Sequence, residues 1–103
     1  MGFVLQHGHS TRIGAHSIGR DVQIWHNVTI GTDHSYSGHL PTIGNRVLIY
    51  TGAIVFGDIT VGDDAVIAAG AIVNRDVPAG AVVAGNPARV VKMRQLTSPS
   101  TLD

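Results

Sequence analysis

Isoleucine or valine occupies positions 43, 49, 55, 61, 67 and 73, every sixth residue without a miss. The same ladder runs through Ile18, Ile24 and Ile30 before an interruption at residues 31–42. Four residues after each member except Ile30, where the interruption begins, stands a second small or branched apolar residue: Val22, Val28, Val47, Ala53, Ile59, Ala65, Ala71 and Val77. An ordinary strand, whose faces alternate every two residues, does not keep phase through repeated intervals of six with glycine or aspartate between them. Long helices are disfavoured as well. Among 103 residues there are 13 glycines and many Val and Ile; glycine costs about 1 kcal/mol against alanine in a helix interior, and β-branched residues lose rotamer freedom there. One Trp, two Tyr and two Phe are too few to fill a sandwich core.

Six residues make one short strand and one turn, and three such units close a triangular coil of about 18 residues. The expected fold is therefore all-β, a parallel β-helix of about four coils shaped as a triangular prism. In it Ile43 stacks under Val61, Ile49 under Ile67 and Val55 under Val73, on rungs about 4.7 Å apart. Glycine directly follows the ladder residue at Gly19, Gly31, Gly44 and Gly62, where a corner is expected to need a permissive backbone. Two features break the repeat. The step from Ile13 to Ile18 is five, as if one residue were deleted at a corner, and the step from Ile30 to Ile43 is thirteen, which extrudes a loop within GTDHSYSGHLPT, residues 31–42. Long loops on regular scaffolds are where function tends to sit. After Val77 the pattern dissolves into PAGAVVAGNPARVVKMR, read as a short cap on the open end. The β-helix domain is assigned to 1–92 and a frayed tail to 93–103.

Charge narrows the partners. Seven Lys and Arg balance seven Asp, with no Glu, so the net charge is zero and the pI near 7.0. That balance argues against nucleic acid. Locally it fails: Arg75, Arg89, Lys92 and Arg94 face only Asp76 and Asp103 over the same stretch, so the C-terminal end is basic. No cysteine is present, hence no disulfide framework and no thiol nucleophile. The start, MGFVLQHGHS, has no basic region followed by a long apolar core, and no apolar run approaches the ~20 residues that span a bilayer. A soluble, cytoplasmic protein without a membrane partner is expected. A lone domain of this size buries a limited share of its surface, which favours self-association.

The ending VIAAGAIVNRDVPAGAVVAGNPARVV (66–91) resembles the terminal signature of the hexapeptide-repeat acyltransferases, and VLQHGHSTRIGAHSIGRDVQIWHNVTIG (4–31) resembles more narrowly their serine acetyltransferase branch, including relatives in surface polysaccharide synthesis. Together these stretches cover nearly the whole chain. The resemblance implies a left-handed coil, against the usual right-handed crossover preference. It also implies transfer of acetyl from acetyl-CoA to a hydroxyl acceptor (serine, a sugar or a polysaccharide unit) in a homotrimer with active sites between neighbouring prisms. The family's first active-site histidine corresponds to His7 in LQH, and its second to His39 in GHLPTIG, one residue further from the isoleucine than in the closest enzymes. Related sugar acetyltransferases match His34 in IGTDH instead. The acidic residue that orients the first histidine in serine acetyltransferases has no counterpart before His7. Their helical N-terminal domain has none either, so the chain reads as a short form or one cut at its N-terminus.

A hydroxyl is a poor nucleophile at neutral pH, and histidine is the side chain whose pKa suits a general base there. His7 is the expected base, returning its proton to the leaving CoA thiolate. With no cysteine and no G-x-S-x-G elbow, direct transfer is favoured over an acyl-enzyme. Backbone amides beside Gly52 or Gly70 are candidate oxyanion donors. By family correspondence Thr51 and Ala69 lie on the pantetheine track, and Asn74, Arg75, Arg89 and Lys92 near the nucleotide, whose phosphates suit guanidinium and ammonium groups. Alternatives remain. His7 and His9 imitate an H-x-H metal pair, and His34 with His39 is similar to the H-x4-H pair of carbonic-anhydrase-like β-helices, although no metal site is assigned; a non-catalytic scaffold is a third class. His16 and His26 read as corner or surface residues. Trp25 either covers the pocket or packs between subunits, and Tyr36 is a lid or a plain exposed residue.

Overall fold

The computed structural model describes residues 3–5, 12–31 and 40–94. Short strands alternate with tight corners and wind into three parallel sheets. The first face stacks β1 (Phe3–Leu5), β4 (Val22–Ile24), β7 (Leu48–Ile49), β10 (Val66–Ile67) and β12 (Ala81–Gly85). The second stacks β2 (Arg12–Ile13), β5 (Thr29–Gly31), β8 (Ile54–Phe56) and β11 (Ile72–Val73), and the third β3 (Ser17–Ile18), β6 (Thr42–Ile43) and β9 (Thr60–Val61), extended by a bridge from Val61 to Val77. Among the described residues there is no helix, so none is long and apolar enough to cross a membrane.

The expected stacking is observed. Ile43 pairs with Val61, Ile49 with Ile67 and Val55 with Val73. Ile13 pairs with Ile30, a step of 17, which is the one-residue corner deletion; Ile30 pairs with Val55, a step of 25, which accommodates the seven extra residues of the loop. β-branched residues suit these two- and three-residue strands because their stiff side chains pack on a pleated surface. Hydrogen bonds run from coil to coil, as from the Leu48 amide to the Ala65 carbonyl at 3.0 Å and from the Tyr50 amide to the Ile67 carbonyl at 2.9 Å. The ladder residues from Ile24 to Val73 and their partners four residues on fill the interior, and among the described residues no polar side chain is buried with them. Each such Val or Ile contributes roughly 1.5–3 kcal/mol of transfer free energy.

The glycines that follow the ladder serve a different purpose from the expected one. The left-handed backbone falls two residues later, at Asp21 (φ 58°), Asn27 (φ 59°), Arg46 (φ 58°), Gly52 (φ 78°), Asp64 (φ 62°) and Gly70 (φ 72°). Gly19, Gly44 and Gly62 instead form a column at the corner between the third and first faces, where successive coils approach too closely for a side chain. A Cβ on Gly62 would lie 2.5 Å from the Ala79 amide nitrogen, and one on Gly44 would meet the Asp63 carboxylate and its amide. The room is taken by side chains that cap the coil below: Asn45 Oδ1 accepts from the Arg20 amide at 2.8 Å, and Asp63 Oδ1 from the Asn45 amide at 2.7 Å.

Arg46 is the one long side chain in the left-handed set. Its guanidinium donates to both carboxylate oxygens of Asp64 on the next coil, at 2.8 and 3.0 Å, and Arg94 donates to the Asp64 carbonyl at 2.8 Å while its own amide donates to the Gly80 carbonyl at 2.7 Å. The hydrogen bond from Arg46 holds the Asp64 carboxyl below its ordinary value, against an opposing push from burial. A depressed carboxylate stabilises the fold above the unfolded value, near 3.9, and that stabilisation is lost as pH falls through the folded value. Arg46→Gln is therefore expected to lower the urea midpoint at pH 7, and the gap from wild type should narrow and close as pH falls below the ordinary carboxylate value and through the folded one. An unchanged gap across that range would remove Asp64 as its source.

Candidate functional site

Successive coils place like residues above one another at each corner. At the corner between the first and second faces, Thr51–Gly52 lies directly beneath Ala69–Gly70: the Gly70 amide donates to the Thr51 carbonyl at 2.9 Å, and a Cβ on Gly52 would lie 3.8 Å from the Gly70 Cα. Ala69 and Gly70 are exposed, and a Cβ on Gly70 would meet nothing within 4 Å. The two steps thus form one bare, narrow track. The Gly52 and Gly70 amides are not open oxyanion donors, because each already donates to the coil below, Gly52 to the His26 carbonyl at 3.3 Å. What these glycines supply is closeness of backbone approach.

Cations converge at the top of the prism. β12 turns at Asn86–Pro87, a cis peptide, and returns as β13 (Ala88–Met93), which pairs antiparallel with β12 and closes the first face at its end. That return brings Arg89 toward the corner between the second and third faces, where Asn74, Arg75 and Asp76 stand. Together they line a cavity of about 240 Å³ floored by Val73, Val77 and Val83. Asp76 is held in place by accepting from the Thr60 amide at 2.8 Å. Asn74, Arg75 and Arg89 are exposed, so their donors are open to a ligand. Lys92 pairs with Val82 further along the hairpin and does not line this cavity. The structure therefore joins three of the four expected nucleotide contacts and sets the fourth apart.

His7, His34 and His39, with His9 and Tyr36, lie outside the described residues. β1 ends at Leu5, two residues before His7, and Leu5 pairs with Ile24 on the face that leads into the track, two rungs below Ile49. Among the described residues no group of three metal-ligating side chains is present.

No family model matches the chain. Individual proteins do. A serine acetyltransferase of Helicobacter pylori is 42% identical over 92 residues, covering 87% of this chain and 54% of that protein. In structure, a Brucella abortus serine acetyltransferase in complex with coenzyme A superposes with a TM-score of 0.84 at 38% identity, over 90% of this chain and 38% of that one. A Brucella melitensis serine O-acetyltransferase, described as a bacterial transferase hexapeptide repeat, gives 0.81 at 37% identity, over 91% and 37% of the two chains. Over nearly its whole length the chain is similar to the serine acetyltransferases, whose solved structures share its hexapeptide-repeat fold. It spans about half the length of the Helicobacter relative and less of the two solved structures. Its coil is the left-handed β-helix of those structures.

Within this hexapeptide-repeat frame two features escaped the sequence reading. Asp76 enters the cationic cavity, which its position directly after Arg75 would have allowed. The other is an aromatic pair: Trp25 and Tyr50 stack with ring centroids 4.5 Å apart and planes at 31°. The signal was present, since each directly follows a ladder residue, Ile24 and Ile49, and those two are rung partners.

Proposed function

We propose that this chain is an acetyl-CoA-dependent O-acetyltransferase of the serine O-acetyltransferase type, moving acetyl directly to a hydroxyl acceptor. The observation that carries the reading is the cavity shared by Asn74, Arg75 and Arg89 at the top of the prism, separated by the strand Ile72–Val73 from the corner that bears the bare Ala69–Gly70 and Thr51–Gly52 track. Fixed guanidinium forks recognise phosphate oxygens well, and an exposed small-residue track admits an extended pantetheine arm. A relative of the same fold carries coenzyme A. Serine, the acceptor in the relatives' names, is the first to test.

In this reading His7 takes the proton of the acceptor hydroxyl as its oxygen attacks the thioester carbonyl carbon. The tetrahedral adduct collapses with cleavage of the carbon–sulfur bond, and the imidazolium returns the proton to the CoA thiolate. His34 or His39 assists from the loop. The protein works as a cytoplasmic homotrimer with sites between prisms, an assembly suited to apolar outward residues such as Ile54 (37% exposed) and Val91 (61%).

Release of CoA from acetyl-CoA in the presence of L-serine tests the reading directly. Arg89→Ala and Arg75→Ala should each raise the Michaelis constant for acetyl-CoA roughly five- to tenfold with little change in kcat, since the lost contact is made equally in ground and transition states. Dephospho-CoA thioesters should lose that sensitivity for whichever arginine meets the 3′-phosphate. A wild-type protein that releases no CoA, or arginine variants with an unchanged Michaelis constant, would remove the reading.

A further inference from the structure

Strand register fixes what stands along the corner between the first and second faces. Ile24, Ile49, Ile67 and Val83 pair in that order up the prism, and the residues that follow them are Trp25, Tyr50, Ala68 and Ala84. Two rings therefore occupy the lower rungs and two methyl groups the upper ones. One residue further on the taper repeats, His26, Thr51, Ala69, and again as Asn27, Gly52, Gly70. The corner is a bare track above an aromatic ledge. The 4.5 Å between ring centroids matches the ~4.8 Å rung spacing, so the rings stack along the prism axis, and both remain partly exposed.

We propose that the Trp25–Tyr50 stack is the end wall of the acyl site and restricts this chain to short acyl thioesters, acetyl above all. The inference rests on the acyl-CoA reading above. With its phosphates at Asn74, Arg75 and Arg89, the extended arm crosses the end of the second face at Ile72–Val73 to Ala69–Gly70, and the thioester then descends over Thr51–Gly52 to the rungs of Tyr50 and Trp25. β1, the strand that leads to His7, pairs one rung below Trp25's strand. The reacting carbonyl is therefore held at the lower end of the small-residue track, with the aromatic pair beside it. A ring has only two side-chain torsions, and Trp25 buttresses Tyr50 from below, so the wall does not fold aside for a longer chain. Removing the Tyr50 ring leaves a ring-sized space floored by Trp25, apolar enough to take further methylenes.

The test is calorimetric titration of the whole chain with acetyl-CoA and with butyryl-CoA, which needs no acceptor. Wild type should bind acetyl-CoA more tightly than butyryl-CoA. In Tyr50→Ala the ratio should move toward butyryl-CoA by about tenfold, the effect of burying two more methylenes. Tyr50→Phe, which keeps the ring, should retain the wild-type preference. If Tyr50→Ala does not fold, Tyr50→Leu shortens the wall while keeping apolar packing and should shift the ratio in the same direction. Equal binding of both thioesters by wild type, or a ratio unmoved in the folded variants, overturns the end wall and leaves the acyl-CoA reading standing. Failure of wild type to bind either thioester overturns both.

Discussion

A His7→Ala variant should turn over acetyl-CoA about 10²- to 10⁴-fold more slowly than wild type, with the Michaelis constant for acetyl-CoA nearly unchanged. The reason is chemical. At neutral pH a hydroxyl is almost wholly protonated, and its attack on a thioester needs a base that is itself unprotonated near pH 7 and can hand the proton on. No cysteine offers a covalent route around that step. Loss of the base leaves positioning intact, so binding should survive while the rate falls. His34→Ala and His39→Ala should cost less, because an assisting group contributes only to orientation or to charge in the transition state. Initial rates of CoA release across the three variants, each checked for its thermal transition, decide the matter. A folded His7→Ala with full turnover would transfer the role of base to one of the loop histidines.

Gly62→Ala should cost about 2–3 kcal/mol of stability, and in a chain of this length that corresponds to a fall in Tm of roughly 10–20 °C. The added Cβ would meet the Ala79 amide nitrogen at 2.5 Å, the Ala79 Cα at 2.7 Å and the Pro78 carbonyl carbon at 3.0 Å. All three are backbone atoms of the next coil, so no side chain can swing away and the rungs must separate. Gly31 provides the comparison. It also follows a ladder residue and has no left-handed φ, yet a Cβ there would meet nothing within 4 Å, and Gly31→Ala should stay within about 0.5 kcal/mol. Denaturant midpoints of the two variants distinguish crowding from backbone freedom. Equal effects would show that the corner, and not the contact between coils, sets the need for glycine.

Much of the fold was legible because burial in a coil of this kind depends on a residue's place within six. Ile49 and Ala53 face inward for the same reason that Ile67 and Ala71 do, and the two ladders name nearly all of the observed core. The corner glycines were legible as a pattern but not as a cause: Gly19 and Gly44 look alike whether the backbone must turn or the neighbour must approach, and only the gap to Asn45 and Asp63 separates the two. Of the candidate site, Thr51, Gly52, Ala69 and Gly70 were singled out by the family resemblance; phase told only that they lie one rung apart, and the structure stacks them so. The basic bias of the C-terminal end was visible, whereas the separation of Lys92 from Arg89 was not. It depends on an antiparallel hairpin whose register shifts between Val82 and Val83.

Sequence by itself determined the coil, its interruptions at Ile13–Ile18 and at 31–42, and the identity of the core, because parallel stacking repeats one local rule and each rung copies the last. Tertiary structure alone decided which outward side chains meet: Arg46 with Asp64, Trp25 with Tyr50, and Arg89 with Asn74 and Arg75 across the open end. Coil spacing makes Arg46 and Asp64, and Trp25 and Tyr50, rung neighbours, but it does not say that their outward side chains turn toward each other, nor does it bring Arg89 to Asn74. Those meetings follow from how far the coils rise, where the last strand turns back, and how much room small side chains leave between them.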